Sequence, residues 1–164
     1  MHAQTPDLSV PPLVKPDKAV SIVIAIGCSL GGMHALQVLL SELSSLKDGF
    51  AGNSIAVLIT QHVATASESA MAEVLQLACA LRVKEAEEGE TIEAGTVYLA
   101  PADYHLLLND DWTLALSCDE PDHFARPAIN VMFESVAEVC AERSIGVLLT
   151  GANDDGARGL AKIH

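Results

Sequence analysis

Reactive side chains follow three predicted strands at the points where those strands end. Ser29 lies in the glycine-rich sequence GCSLGG, directly after the apolar run VSIVIAIG. His62 ends the sequence ITQH, and Asp155 lies in TGANDDGA. A hydroxyl, an imidazole and a carboxylate that meet in space supply a nucleophile, a general base and a group that orients the base. These residue types therefore favour hydrolysis through a Ser-His-Asp triad.

Each motif alone has a plainer explanation. A glycine-rich turn at a helix N-terminus also suits a bound phosphate, a single histidine is more often structural, and Asp is a common helix N-cap. Together the three motifs favour a shared catalytic site more strongly than any one of them does. The reason is that ligands of open parallel sheets bind outside the carboxyl ends of the strands, where all three motifs lie. The chain order Ser–His–Asp differs from the orders in α/β-hydrolases, chymotrypsin and subtilisin, so a triad here belongs to another lineage.

The cysteines give no sign of a disulfide or metal framework. Cys28, Cys79, Cys118 and Cys140 include no C-x-x-C pair, and we interpret them as reduced thiols of a cytoplasmic protein, three of them buried. Cys28 is a rival nucleophile beside Ser29. A sharp turn projects only one of two neighbouring side chains, so we expect the thiol to point into the core.

We expect the other histidines and acidic residues considered to have structural or surface roles and no part in catalysis. We expect His34 at the surface and His105 in a structural role. We expect residues 119–123, DEPDH, to form a solvated loop, since they lack the spaced partners of a metal site, and the glutamates of residues 85–90 to form a solvated turn. The sequence thus predicts neither a metal nor a cofactor.

Apolar strands alternate with amphipathic helices along the chain. Continuous apolar runs at residues 20–27, 54–60 and 144–151 predict buried parallel strands. Helical spacing of apolar residues predicts helices over residues 31–43, from Met71 onwards, and over about 130–143.

The short runs TVYLAP, HLLL and TLALS predict an antiparallel part, with a turn at Asn109-Asp110-Asp111. The order of elements predicts an α/β fold: a doubly wound, mainly parallel, Rossmann-like sheet in three layers, with an inserted antiparallel hairpin. Four prolines mark residues 1–19 as a tail or linker, and residues 20–164 as the folded domain.

The composition of the chain limits the classes of partner that it can bind. The formal net charge of −13 argues against nucleic acid and anionic lipid. No apolar run is long enough for a membrane span, and no signal peptide is recognised, so we expect a cytoplasmic protein without membrane insertion.

Five motifs in order resemble the C-terminal catalytic domain of the CheB-type protein-glutamate methylesterases. They are IAIGCSLGG, ITQH, KEAEEGETIEAGTVYLAP with HLLL behind it, RPAINVMFESVA and GVLLTGANDDGARGL. The resemblance extends from about Val20 to His164, and from it we expect residues 20–164 to form a methylesterase-like catalytic domain without the family's C-terminal segment.

The resemblance implies roles for individual residues. The nucleophile falls on Ser29, the base on His62 and the carboxylate on Asp155, while backbone N–H groups of Leu30 and Ala152 form the oxyanion site. The implied reaction is hydrolysis of γ-glutamyl methyl esters on the cytoplasmic helices of methyl-accepting chemoreceptors, with glutamine deamidation in some members. Receiver or methyltransferase domains, fused or separate, are the implied partners, and Arg126-Pro127 is implied to lie near the site.

The chain also departs from the family pattern. Leu30 stands where the family usually has Thr or Ser, and Ala152-Asn153 replaces Met-Gly. Ala128 and Asn130 stand where Ser and Asp are common. These departures leave open a second hypothesis, a catalytically weakened regulatory or scaffold version of the domain in a signalling protein. A third, a nucleotide-binding Rossmann module, conflicts with the absence of G-x-G-x-x-G after the first strand.

Overall fold

The computed structural model describes residues 20–29, 31–45, 55–62, 70–151 and 153–164. The expected tail at residues 1–19 and the two expected oxyanion residues, Leu30 and Ala152, lie outside these ranges.

A parallel sheet of five strands lies at the centre of the described chain, with a two-stranded antiparallel sheet beside it. The strands are β1 (Ile22–Cys28), β2 (Ile55–Gln61), β3 (Arg82–Glu85), β4 (Thr96–Leu99), β5 (His105–Leu108), β6 (Leu114–Ser117) and β7 (Ser144–Leu148). The order in the large sheet is β3-β4-β2-β1-β7, and each neighbouring pair is parallel. The antiparallel hairpin of β5 and β6 and the α/β fold class are confirmed.

Helices cover both faces of the parallel sheet. Within the described ranges they are α1 (Gly32–Ser45), α2 (Met71–Ala78), α3 (Ile129–Cys140) and α4 (Ala157–Ile163), with a 3₁₀ turn at Ala141–Arg143. Ile26 of β1 packs in one cluster with Leu36 of α1 and Leu75 of α2. Its neighbour Ala25 points to the other face and packs in a second cluster with Phe133 of α3. Because successive side chains alternate between faces, a strand buried on both sides is apolar throughout.

The expectation that TVYLAP belongs to the antiparallel part was wrong. Thr96–Leu99 forms β4, which runs parallel between β2 and β3 and is buried along its whole length. A short apolar run next to a hairpin does not reveal which sheet it joins. Strand β3 was also missed, because its sequence RVKE contains one apolar residue and three charged ones.

The expectation that β7 is a buried strand was wrong as well. Among the described strands β7 pairs with β1 alone, so it lies at an edge of the sheet. Ile145 is 48% exposed and Leu148 is 37% exposed. The strand also ends at Leu148, three residues before Gly151.

None of the helices in the described ranges has the length and apolarity that a membrane crossing requires.

Candidate active site

Ser29 is the first residue after β1, at the carboxyl end of the parallel sheet. Its N–H donates to the Thr150 carbonyl at 2.7 Å, and its carbonyl accepts from Gly32 N–H at 2.9 Å. Gly31 completes the turn with φ at 79°, a backbone angle that glycine adopts without a steric penalty. The backbone around Ser29 is thus fixed on both sides, and the chain turns sharply from β1 into α1.

His62 is positioned by the neighbouring strand. Cys28 of β1 lies opposite Gln61 of β2, and the His62 N–H donates to the Cys28 carbonyl at 3.0 Å. This register places the imidazole beside the residue that follows Cys28. His62 Nδ1 lies 3.2 Å from Ser29 Oγ, so the side chains meet although 33 residues separate them.

The second ring nitrogen of His62 faces a carboxylate. His62 Nε2 lies 2.6 Å from Asp155 Oδ2. An ionised carboxylate only accepts hydrogen bonds, so the proton of the neutral ring belongs on Nε2, and Nδ1 is left with a lone pair towards the Ser29 hydroxyl. In the chymotrypsin triad Nε2 faces the serine and Nδ1 faces the aspartate. Here the two ring nitrogens have the opposite partners, but the roles of serine, histidine and aspartate are the same.

Asp155 is held by the first turn of α3. The Ile129 N–H donates to Oδ2 at 2.8 Å and the Asn130 N–H donates to Oδ1 at 2.9 Å. The Asp155 side chain has no exposed surface. Burial opposes its ionisation, but the hydrogen bonds from His62, Asn130 and Ile129 outweigh burial and hold the Asp155 pKa below its usual value of 3.8. The carboxylate therefore stays charged, and the helix N-terminus favours that charge.

Asn130 fastens the loop that carries Asp155. Its side chain is fully buried, and its Oδ1 accepts from the N–H groups of Gly156 and Gly159, each at 3.0 Å. Its Nδ2 has no hydrogen-bond partner among the described residues. One side chain thus joins the start of α3 to the start of α4. In the sequence Asn130 is recognisable only as a departure from the family pattern, and nothing there indicates this contact.

Two glycines let these elements approach closely. A Cβ atom on Gly27 would collide with Ile129 Cγ2, so β1 and the start of α3 pack directly against each other. Gly156, next to Asp155, has φ at 97° and would place a Cβ 2.8 Å from Ile129 Cγ2. A side chain at either position would push α3 away, and with it the amides that hold Asp155.

Cys28 points away from the candidate site, as expected from the sequence. Its side chain is fully buried in the cluster beneath α1, and Sγ lies 3.8 Å from Gln61 Oε1. Burial raises the pKa of the Cys28 thiol from 9.0 to about 12. Since the thiolate is the reactive form, Cys28 is a poor nucleophile.

Two other histidines, His34 and His105, also lie as expected. His34 is exposed on α1. His105 is buried, with Nδ1 accepting from the Ala128 N–H and Nε2 at 3.2 Å from the Glu120 carbonyl.

The expectation for residues 119–123 needs correction. Asp122 and His123 are only partly exposed, and their ligand atoms lie within 4.8 Å of each other and of one on Asp155. Such a group has the composition of a metal site. However, the two Asp155 oxygens already accept from His62, Ile129 and Asn130, so a cation would compete with three donors. This arrangement suits the orientation of His62 better than it suits metal binding.

The expectation for residues 85–90 was partly wrong too. Glu85 is the last residue of β3, and Lys84 of the same strand pairs with Glu87 at 2.7 Å and with Glu90 at 2.8 Å. Glu87 and Glu90 thus pair with Lys84, while Glu85, Glu87 and Glu88 are exposed, as expected.

Two clefts open at the candidate site. One of about 150 Å³ is lined by Ser29 and residues 148–151, among others. The other, about 360 Å³, is lined by His62 and by Arg126 and Pro127, which were expected near the site. Asn153 lines both clefts. Ser29 and His62 thus each line a cleft, and Asn153 lies where the two clefts share a wall.

The oxyanion donors expected at Leu30 and Ala152 fall outside the described residues. The Ser29 N–H is itself engaged with the Thr150 carbonyl. It is therefore not free to stabilise an oxyanion, and donors from elsewhere are required.

The chain is similar to proteins of one known family. A family model described as CheB methylesterase matches residues 24–164. The crystal structure of the Thermotoga maritima CheB methylesterase catalytic domain superimposes with a TM-score of 0.79 and 30% sequence identity, and the match covers 88% of this chain and 75% of that one.

Relatives with similar sequences are named as enzymes that act on glutamate methyl esters and glutamines of proteins. A putative protein-glutamate methylesterase/protein-glutamine glutaminase of Leptospira interrogans is 43% identical over 140 residues, 85% of this chain and 69% of the relative. A protein-glutamate methylesterase/protein-glutamine glutaminase of Symbiobacterium thermophilum is 39% identical over 148 residues, 90% of this chain but 39% of the relative.

Proposed function

Because the chain belongs to the CheB methylesterase family, we propose that it hydrolyses γ-glutamyl methyl esters on methyl-accepting chemoreceptors. The products are glutamate and methanol, and the reaction serves adaptation in chemotaxis. The relatives are also named glutaminases, so we extend the proposal to deamidation of receptor glutamines, with ammonia as the leaving group.

One observation supports this function most strongly. A continuous line of hydrogen-bonding contacts joins Ser29 Oγ to His62 at 3.2 Å and His62 to Asp155 at 2.6 Å. Nucleophile and base within hydrogen-bond reach, with the base oriented by a third group, is the arrangement that activates a serine. A regulatory or scaffold domain would have no need of it.

In the proposed reaction Ser29 Oγ attacks the ester carbonyl carbon while His62 Nδ1 takes the hydroxyl proton. The tetrahedral intermediate collapses, the bond to the methoxy oxygen breaks, and His62 returns the proton so that methanol leaves. Water then attacks the glutamyl-serine ester with His62 again as base, which releases the glutamate and restores Ser29. Asp155 holds the ring and stabilises the imidazolium in both halves.

Backbone donors complete the proposed mechanism. We retain the N–H groups of Leu30 and Ala152 as the proposed oxyanion donors. One such donor typically contributes about 3 kcal/mol to transition-state stabilisation. A methyl ester is easier to cleave than an amide, so we expect ester hydrolysis to exceed deamidation.

The test is methanol release from a methylated receptor cytoplasmic fragment. We expect Ser29→Ala to lose activity by several orders of magnitude, because the nucleophile is removed. Ser144→Ala is the matched control, since Ser144 begins β7 and so lies at the amino end of the parallel strands, whereas Ser29 lies at their carboxyl end. Equal rates for wild type and Ser29→Ala would refute the assignment of Ser29, and absence of methanol release by wild type would refute the function.

A further inference from the structure

Phe124 is a fully exposed aromatic side chain beside the candidate site. It lines the cleft of about 360 Å³ that also contains His62. Tyr104, 41% exposed, directly follows Asp103, which lines the same cleft. Exposed apolar surface at a binding groove is a mark of an interaction site.

The turn that carries Phe124 has an unfavourable backbone. His123 has φ at 49° and Phe124 has φ at 62°, and the Ala125 N–H donates to the Asp122 carbonyl at 2.9 Å. This is the pattern of a type I′ turn, whose central positions are normally filled by Asn and Gly. Unfavourable backbone angles of this kind cluster at functional sites, where the surrounding structure maintains them.

Polar contacts on both sides fix this turn. Asp122 Oδ2 accepts from Arg158 at 2.9 Å, and Arg158 is also paired with Glu134 of α3. On the other side the Arg126 guanidinium donates to the carbonyls of Cys118 at 3.0 Å and Asp119 at 3.2 Å. The exposure of Phe124 is therefore built into an anchored turn.

We propose that Phe124 is a substrate-contacting residue, which packs on an apolar surface of the esterified protein while the glutamyl ester enters the cleft at His62. This inference rests on the proposed function. The occupant is the protein substrate, because the cleft that Phe124 lines is also lined by His62 of the candidate triad.

Charge favours an apolar contact of this kind. The chain has a formal net charge of −13, so long-range attraction does not bring it to a glutamate-rich protein segment. Aromatic side chains are also among the residues that carry most of the binding energy in protein interfaces.

The test compares two substrates. One is a methylated receptor cytoplasmic fragment, and the other is a small γ-methyl ester of N-acetylglutamate amide, which lacks the apolar protein surface proposed to pack on Phe124. For Phe124→Ala we expect KM for the protein to rise by about tenfold or more with kcat unchanged, since a buried aromatic contact is lost. We expect no change for the small ester, and Phe124→Leu should restore most of the affinity for the protein.

Leu77→Ala is the matched control. Leu77 is 91% exposed on α2, close to the amino end of β3 and thus at the far edge of the sheet. We expect it to behave like wild type on both substrates.

If wild type is active, either of two results would overturn the docking role of Phe124 and leave the proposed function standing. One is an unchanged KM of Phe124→Ala for the protein, and the other is an equal loss on both substrates. If wild type releases methanol from neither substrate, the proposed function fails and the docking role fails with it.

Discussion

Asp155 Oδ2 lies 2.6 Å from His62 Nε2, across 93 residues of sequence. The same oxygen accepts from the Ile129 N–H, and the other oxygen accepts from the Asn130 N–H. The carboxylate thus has a fixed orientation before any substrate arrives. Such preorganisation lets one tautomer of His62 persist, the one whose Nδ1 is ready to accept the proton of Ser29.

Asp155→Asn tests this orientation. An amide NH₂ facing Nε2 would favour the tautomer with the proton on Nδ1, which cannot accept from Ser29. By analogy with the serine-protease triad we expect kcat for the small ester to fall about 10⁴-fold. Circular dichroism checks that the variant is folded. A loss of less than about tenfold in a folded variant would show that Asp155 does not control the tautomer.

The low pKa of Asp155 predicts how stability depends on pH. A carboxyl group whose pKa is depressed by folding contributes stability above its unfolded value of 3.8, and this contribution is lost as pH falls towards the folded-state pKa. Wild type should exceed Asp155→Asn in free energy of unfolding at pH 7, and the difference should shrink below pH 3.8.

Urea unfolding at several pH values measures this difference. Asp110→Asn is the control, because Asp110 is exposed in the turn before β6 and should show no such trend. A difference between wild type and Asp155→Asn that stays constant from neutral to acidic pH would contradict the assignment.

The buried thiol of Cys28 predicts selective alkylation. With its pKa raised to about 12, Cys28 should stay unmodified by iodoacetamide at pH 8 while exposed Cys118 reacts. Esterase activity should survive the treatment. Peptide mass spectrometry locates the label, and inactivation that follows labelling of Cys28 would make the thiol a rival to Ser29.

Asn130→Ala should weaken the fold and the candidate site together. The change removes the acceptor of two buried N–H groups, at Gly156 and Gly159, and such losses cost about 2 to 5 kcal/mol in total. Asn130→Asp keeps an acceptor oxygen and should recover part of the free energy of unfolding. The account of Asn130 would be wrong if the alanine variant were as stable as wild type.

The sequence predicted the central strands because they are apolar on both faces. It predicted that Ser29, His62 and Asp155 would meet because each follows a strand that ends at the same edge. Strand β3 was not predicted because three of its four residues are charged and show no strand pattern, although its backbone pairs with β4.

The supports of Asp155 and of Phe124 were not predictable for a different reason. The backbone N–H groups of Ile129 and Asn130 carry no signature in the sequence, since every residue except proline has one. The turn at residues 122–125 depends on Arg158, a contact across 36 residues that no local pattern records.

The central claim is that His62, held by Asp155, activates Ser29, and covalent labelling tests it most directly. A fluorophosphonate probe should form one adduct that peptide mass spectrometry places on Ser29, and His62→Gln should label at least about 10³-fold more slowly, since the general base is gone. An adduct on another residue, or equal labelling of wild type and His62→Gln, would contradict the account.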